Sequence, residues 1–68
     1  MQIIDARGLS CPEPVILTRQ AMASGAASYQ VIVDNNTSKE NVTRYAHHQG
    51  YEVTISEQDE EYTLLISK

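Results

Sequence analysis

Tryptophan and phenylalanine are absent from the 68 residues, and cysteine occurs once, at Cys11. With only Tyr29, Tyr45, Tyr51 and Tyr62 as aromatics, the core must be thin; a chain this short buries only about 60% of the surface its unfolded form exposes. A large enclosed active site is therefore not expected, and stability leans on close packing or on a partner. One cysteine forms no internal disulfide, which removes the cross-linked framework of small secreted folds and fits a reducing compartment. Basic residues are few as well: five Lys and Arg stand against nine Asp and Glu, a net charge of -4. Sequence-independent nucleic-acid binding depends on cations displacing counterions from phosphates, so direct binding to nucleic acid is not expected. No apolar run approaches membrane-spanning length, and Met1 leads through Gln2 and Ile3 into a strand-like segment without the pattern of a secretory leader. The expectation is a cytoplasmic protein with no membrane span.

What is present is short-period patterning. Runs at Gln2 to Ala6, Tyr29 to Asp34, Tyr51 to Ser56 and Glu61 to Ser67 alternate as strands do. In the third, Tyr51, Val53 and Ile55 alternate with Glu52, Thr54 and Ser56; in the fourth, Tyr62, Leu64 and Ile66 alternate with Thr63, Leu65 and Ser67. One sheet face is apolar and the other largely wet. Two helical stretches intervene, Pro12 to Ser24 and Ser38 to Gln49, each followed by a glycine, Gly25 and Gly50, where a C-terminal cap belongs. The first turns Pro14, Val15, Thr18, Ala21 and Met22 to one side, and the second carries Val42, Tyr45 and Ala46 at apolar-stripe spacing. Thr37-Ser38-Lys39-Glu40 matches a capping box for the second helix. The order β-α-β-α-β-β, with a short link at Glu57 to Glu60, predicts an α+β two-layer α/β sandwich: a mixed four-stranded sheet with two helices on one face. No internal repeat, low-complexity tract or linker appears, so residues 1–68 read as a single domain.

The segment Asp5-Ala6-Arg7-Gly8-Leu9-Ser10-Cys11-Pro12-Glu13-Pro14 is not explained by packing alone. A strand ends near Ala6, Gly8 permits a left-handed turn, and Pro12 suits the first turn of a helix, where its missing N–H costs nothing. Cys11 then sits at or next to the N-cap. An alternative register makes Ser10 the cap, with Glu13 reaching back as in a capping box. Helix N-termini favour the thiolate, but Pro12 and Pro14 delete two amide donors and Glu13 adds negative charge. The expected thiol is moderately activated. A lone cysteine is commonly a small buried hydrophobe; the flanking prolines, which fix the chain at the mouth of a helix, point to the functional reading instead. Arg19, two turns on, is a candidate for meeting an acidic partner or the anionic sulfur, and its distance from Cys11 favours the partner.

Elsewhere the chemistry is sparse. Adjacent His47 and His48 point about 100° apart on a helix and lack the i, i+4 spacing of a metal pair, so they read as favourable charge at a helix C-terminus. Glu57, Asp59, Glu60 and Glu61 read as a solvated hairpin turn, and Asn35 and Asn36 as turn residues. No metal site is expected.

Asp5, Gly8 and Cys11-Pro12-Glu13-Pro14, followed by Val15 and Arg19, resemble the opening of the TusA/SirA/YedF sulfur-carrier family, and the Asp34 to Gly50 segment and closing hairpin look most like its YedF-like branch. The resemblance implies a sandwich like the C-terminal domain of bacterial translation initiation factor three, and no cofactor. It also implies that Cys11 carries sulfur as a persulfide, accepted from a cysteine desulfurase or similar donor and relayed to a downstream acceptor protein, in routes that include tRNA thiolation. YedF-like members are also linked with selenium metabolism. Gln20-Ala21-Met22-Ala23 departs from the family by lacking a further basic residue that TusA uses on this face. The competing reading, from a different class, is a non-catalytic interaction or regulatory module recognised through its Pro-capped helix.

Overall fold

A computed structural model describes residues 2–10 and 12–68; Met1 and Cys11 lie outside the described residues, and with Cys11 the expectation that its side chain stands at the N-cap. The elements run β1 (Gln2–Asp5), α1 (Glu13–Met22), β2 (Ser28–Val33), α2 (Asn36–His48), β3 (Glu52–Gln58) and β4 (Glu61–Ser67). The sheet order is β1-β2-β4-β3, with β1 parallel to β2 and β4 antiparallel to both of its neighbours. This is the mixed four-stranded sheet with two helices that the patterning anticipates.

Register explains which residues are buried. Ile4 lies opposite Val31, Val31 opposite Leu64 and Leu64 opposite Ile55; one row along, Tyr29 pairs with Ile66 and Ile66 with Val53. Because strand side chains alternate faces, these rows share the face that the helices cover. Tyr29, Val31, Val33, Leu64 and Ile66 are fully buried there, against Val42 and Ala46 of α2 and Ala21 of α1. Tyr51 meets Tyr29 edge-to-face, ring centres 5.9 Å apart. β3 is an edge strand, and the expected apolar stripe on it is only partly realised: Val53 is half-buried, but Ile55 remains 43% exposed. On the opposite face Ile3 and Leu65 are exposed in a row with Gln30 and Thr54.

The helix boundaries correct the sequence reading. α2 starts at Asn36, before the expected Ser38, and the Thr37–Glu40 capping box does not set its start. Asn35 is the N-cap, in extended conformation, and its side-chain oxygen accepts a hydrogen bond from the Ser38 N–H at 2.7 Å. Asparagine caps at least as well as threonine, and this start turns Ser38, Val42 and Ala46, spaced by four, onto the sheet. At its other end the Gly50 N–H donates to the His47 carbonyl (3.0 Å) and the Tyr51 N–H to the Ala46 carbonyl (2.9 Å). With φ +86° at Gly50 this is a Schellman cap, which reserves that position for a residue without a Cβ.

α1 is shorter than the expected Pro12 to Ser24, running from Glu13 to Met22 with Pro12 as N-cap and Ala23 as C-cap. The alternative with Ser10 as cap is thereby excluded. The expected face is largely right: Pro14, Thr18 and Ala21 are buried, and Val15, Leu17 and Met22 pack at the margin of the core. Thr18 is tolerated inside because its hydroxyl donates to the Pro14 carbonyl at 2.9 Å.

Candidate functional site

β1 and β2 run parallel and end side by side, each leading into a loop and a helix. In α/β sheets the space beyond the carboxyl ends of parallel strands is where binding sites form, and the segment leading to Cys11 starts there. Its path is tied down residue by residue. Ala6, fully buried, extends the sheet pairing by donating its N–H to the Ile32 carbonyl at 2.8 Å. The Arg7 guanidinium grips Asp5 in a two-point fork, Nε to Oδ1 at 2.9 Å and Nη2 to Oδ2 at 2.8 Å, while Nη1 reaches Glu61 at 3.2 Å. Gly8 turns the chain at φ +76°, and its N–H donates to the Asp34 carboxylate at 2.8 Å. Leu9 packs against the core. Beyond Cys11, the Glu13 N–H donates to the Ser10 carbonyl at 2.9 Å and the Ile16 N–H to the Pro12 carbonyl at 3.0 Å, closing a turn that becomes α1.

The roles of the expected residues sort accordingly. Asp5 holds Arg7 and so braces the strand end. Its carboxyl pKa falls from 3.8 to about 2, chiefly through the side-chain hydrogen bond from Arg7 and then the Arg7 N–H. The same pairing, first with Asp5 and then with Glu61, raises the Arg7 pKa. Gly8 provides the turn, and Pro12 and Pro14 open the helix. Glu13 contributes through its backbone N–H, not as a reciprocal cap for Ser10. Since Pro12 and Pro14 carry no N–H and that of Glu13 is engaged, the start of α1 is poor in amide donors for an anion. Arg19 lies exposed further along α1.

Two features escaped sequence reading. Asp34, read only as the last residue of a strand, reaches across 26 positions to fix Gly8; only the parallel alignment of β1 with β2 brings them together. Beside the start of α1 lies an open groove of about 480 Å³ between the two helices, lined by Pro12, Val15, Asn41, Arg44, Tyr45 and His48. The α2 residues in that set fall at i, i+3, i+4 and i+7, a pattern visible in the sequence. Its partner wall was not.

A family model for sulfurtransferase TusA matches residues 2–68. The chain belongs to this family. A putative sulfur carrier protein of Methanocaldococcus jannaschii is 30% identical over 70 residues, an alignment covering all of this chain and 93% of that protein. The sulfur carrier protein TusA of Pseudomonas putida is 30% identical over 59 residues, covering 84% of this chain and 74% of its own. The crystal structure of a SirA-like protein from Desulfitobacterium hafniense superposes with a TM-score of 0.90 at 37% identity, covering 98% and 96% of the two chains. The TusA-family assignment brings a role in carrying or transferring sulfur, which requires protein partners to supply and receive it. Among the described residues no helix is long and apolar enough to cross a membrane.

Proposed function

We propose that Cys11 is the residue on which this TusA-family chain carries sulfur, as a persulfide passed between proteins in a reducing, cytoplasmic setting. The observation that carries the reading is the anchoring of the chain on both sides of Cys11: Gly8 is held by Asp34, and Ser10 is closed onto Glu13 at the helix start. Cysteine occurs nowhere else in the chain, so no other side chain supplies the sulfur chemistry. In the loading step the Cys11 thiolate attacks the terminal sulfur of a donor persulfide, R–S–SH. A sulfur–sulfur bond to Cys11 forms, the donor's sulfur–sulfur bond breaks, and R–S⁻ leaves with the electron pair and takes up a proton from water. The sulfane sulfur keeps its oxidation state, so no external oxidant or reductant enters. Discharge repeats the exchange with an acceptor thiolate attacking the outer sulfur. With no second cysteine in the chain to resolve the persulfide, the acceptor is another molecule.

The poverty of amide donors at the start of α1 fits a carrier: a strongly stabilised thiolate would be a weaker nucleophile, and the best attacking thiol has a pKa near ambient pH. Incubation with a cysteine desulfurase and cysteine, read by intact mass, is the test. A one-sulfur adduct localised to Cys11, absent from Cys11→Ser, is expected; failure to form it with desulfurase and with polysulfide would sink the reading.

A further inference from the structure

The groove between the helices begins at Pro12, the residue that follows Cys11, and its walls are built mainly from Pro12, Val15 and the Tyr45 ring. Arg44 supplies its charge and His48 a ring nitrogen for hydrogen bonding, and no carboxylate is among the described residues that line it. This contrasts with a chain of net charge -4, in which three of the other cations are engaged elsewhere and Arg19 lies exposed on α1, outside the groove lining. Arg7 is held by Asp5 and Glu61, Lys39 lies over the Tyr62 ring, and Lys68 lies over the Tyr51 ring. Arg44 is itself oriented by a hydrogen bond from Nη2 to the side-chain oxygen of Asn41, on the same helix face. A shallow apolar trough with an oriented guanidinium at its edge suits an extended peptide: an apolar side chain fills the trough and a carboxylate meets the fork.

We propose that this groove is the docking site for an acidic, apolar segment of the protein that exchanges sulfur with Cys11, with Arg44 as its anchor and His48 as a second donor. The proposal rests on Cys11 being the sulfur carrier, since adjacency to Cys11 is what gives the groove its purpose. Charge complementarity selects the occupant. The surface is acidic overall, so the guanidinium in this trough gives such a segment a local attraction next to the residue that follows Cys11.

The test titrates isotopically labelled protein with the peptide acetyl-Glu-Leu-Asp-Leu-Glu-amide, and separately with its Lys counterpart, following amide shifts by NMR. Saturable perturbation at Val15 and along residues 41–48 by the acidic peptide alone is expected, weakening with salt. Arg44→Glu is expected to weaken it by about tenfold or more, and Arg44→Gln by less, each variant being checked for native amide dispersion. Absence of saturable binding, equal binding of the basic peptide, perturbation centred on Ile3 and Leu65, or unchanged affinity in well-folded Arg44→Glu would overturn the proposal. The wild-type protein is treated in parallel with polysulfide: lack of a Cys11 adduct refutes the sulfur-carrier reading, whereas the peptide results decide the groove.

Discussion

Replacing Glu60 by glycine should stabilise the protein. The β3–β4 hairpin turns on two residues, Asp59 at φ +52° and Glu60 at φ +65°, both in the left-handed region. Gln58 pairs with Glu61 directly across them. That is the two-residue loop whose twist suits a hairpin, and its preferred sequence is Asn-Gly. A residue with a Cβ pays roughly 1–2 kcal/mol in the left-handed region. Glycine escapes that cost but loses more conformational freedom on folding, which returns about 0.5–1 kcal/mol. The net gain for Glu60→Gly is about 1 kcal/mol, and a domain of this size converts that into a rise of about 4–8 °C in melting temperature. Asp59→Gly should gain less, because aspartate tolerates this region better than glutamate. Thermal unfolding by circular dichroism measures the shift, and urea titration should move the midpoint without changing the slope. Glu57→Gly, inside β3, is the control and should lower the melting temperature. A melting temperature that stays put or falls in Glu60→Gly would refute the assignment of strain to this turn.

Three further outcomes are expected. Asp34→Ala removes the acceptor for the Gly8 N–H and should cost about 0.5–1.5 kcal/mol, speed exchange of the Gly8 amide and slow sulfur loading of Cys11; native exchange at Gly8 would contradict the tie. The depressed pKa of Asp5, about 2 against 3.8, means that its pairing with Arg7 stabilises the fold above the unfolded value and that this contribution is lost as pH falls from 3.8 through about 2; a carboxyl titration by NMR, wild type against Arg7→Gln, checks it, and an Asp5 midpoint near 3.8 in wild type would count against the fork. Leu64→Ala, at a fully buried position in the central strand β4, should cost about 2–5 kcal/mol, comparable with the whole stability of so small a domain, and so abolish the cooperative melt.

Element order and type were legible because they rest on local rules: alternation marks β2 and β4, and Gly50 marks the end of α2. The start of α2 was less legible, since Asn35 and Thr37 are both competent caps and the sequence does not say which start turns Ser38 and Val42 inward. The extent of burial on β3 was similarly hidden. Ile55 alternates like a core residue, and its exposure follows from β3 being an edge strand, which depends on β4 inserting between β2 and β3.

For the site, the segment from Asp5 to Pro14 and its family resemblance could be read directly, because glycine, proline and cysteine each restrict chemistry or backbone locally. Chain order alone determined where the strand stops, where the turn falls and that a proline stands at the mouth of the helix, while the cap itself, Pro12 and not Ser10, was decided by the structure. Tertiary structure decided what holds that turn and what faces it. Asp34 reaches Gly8 only because β1 and β2 lie parallel in register, and Arg7 reaches Glu61 although 54 positions separate them. Pro12 and Val15 share a groove with Arg44 and His48 only because both helices pack on one sheet face. Partners of that kind are chosen by topology, and no spacing along the chain encodes them.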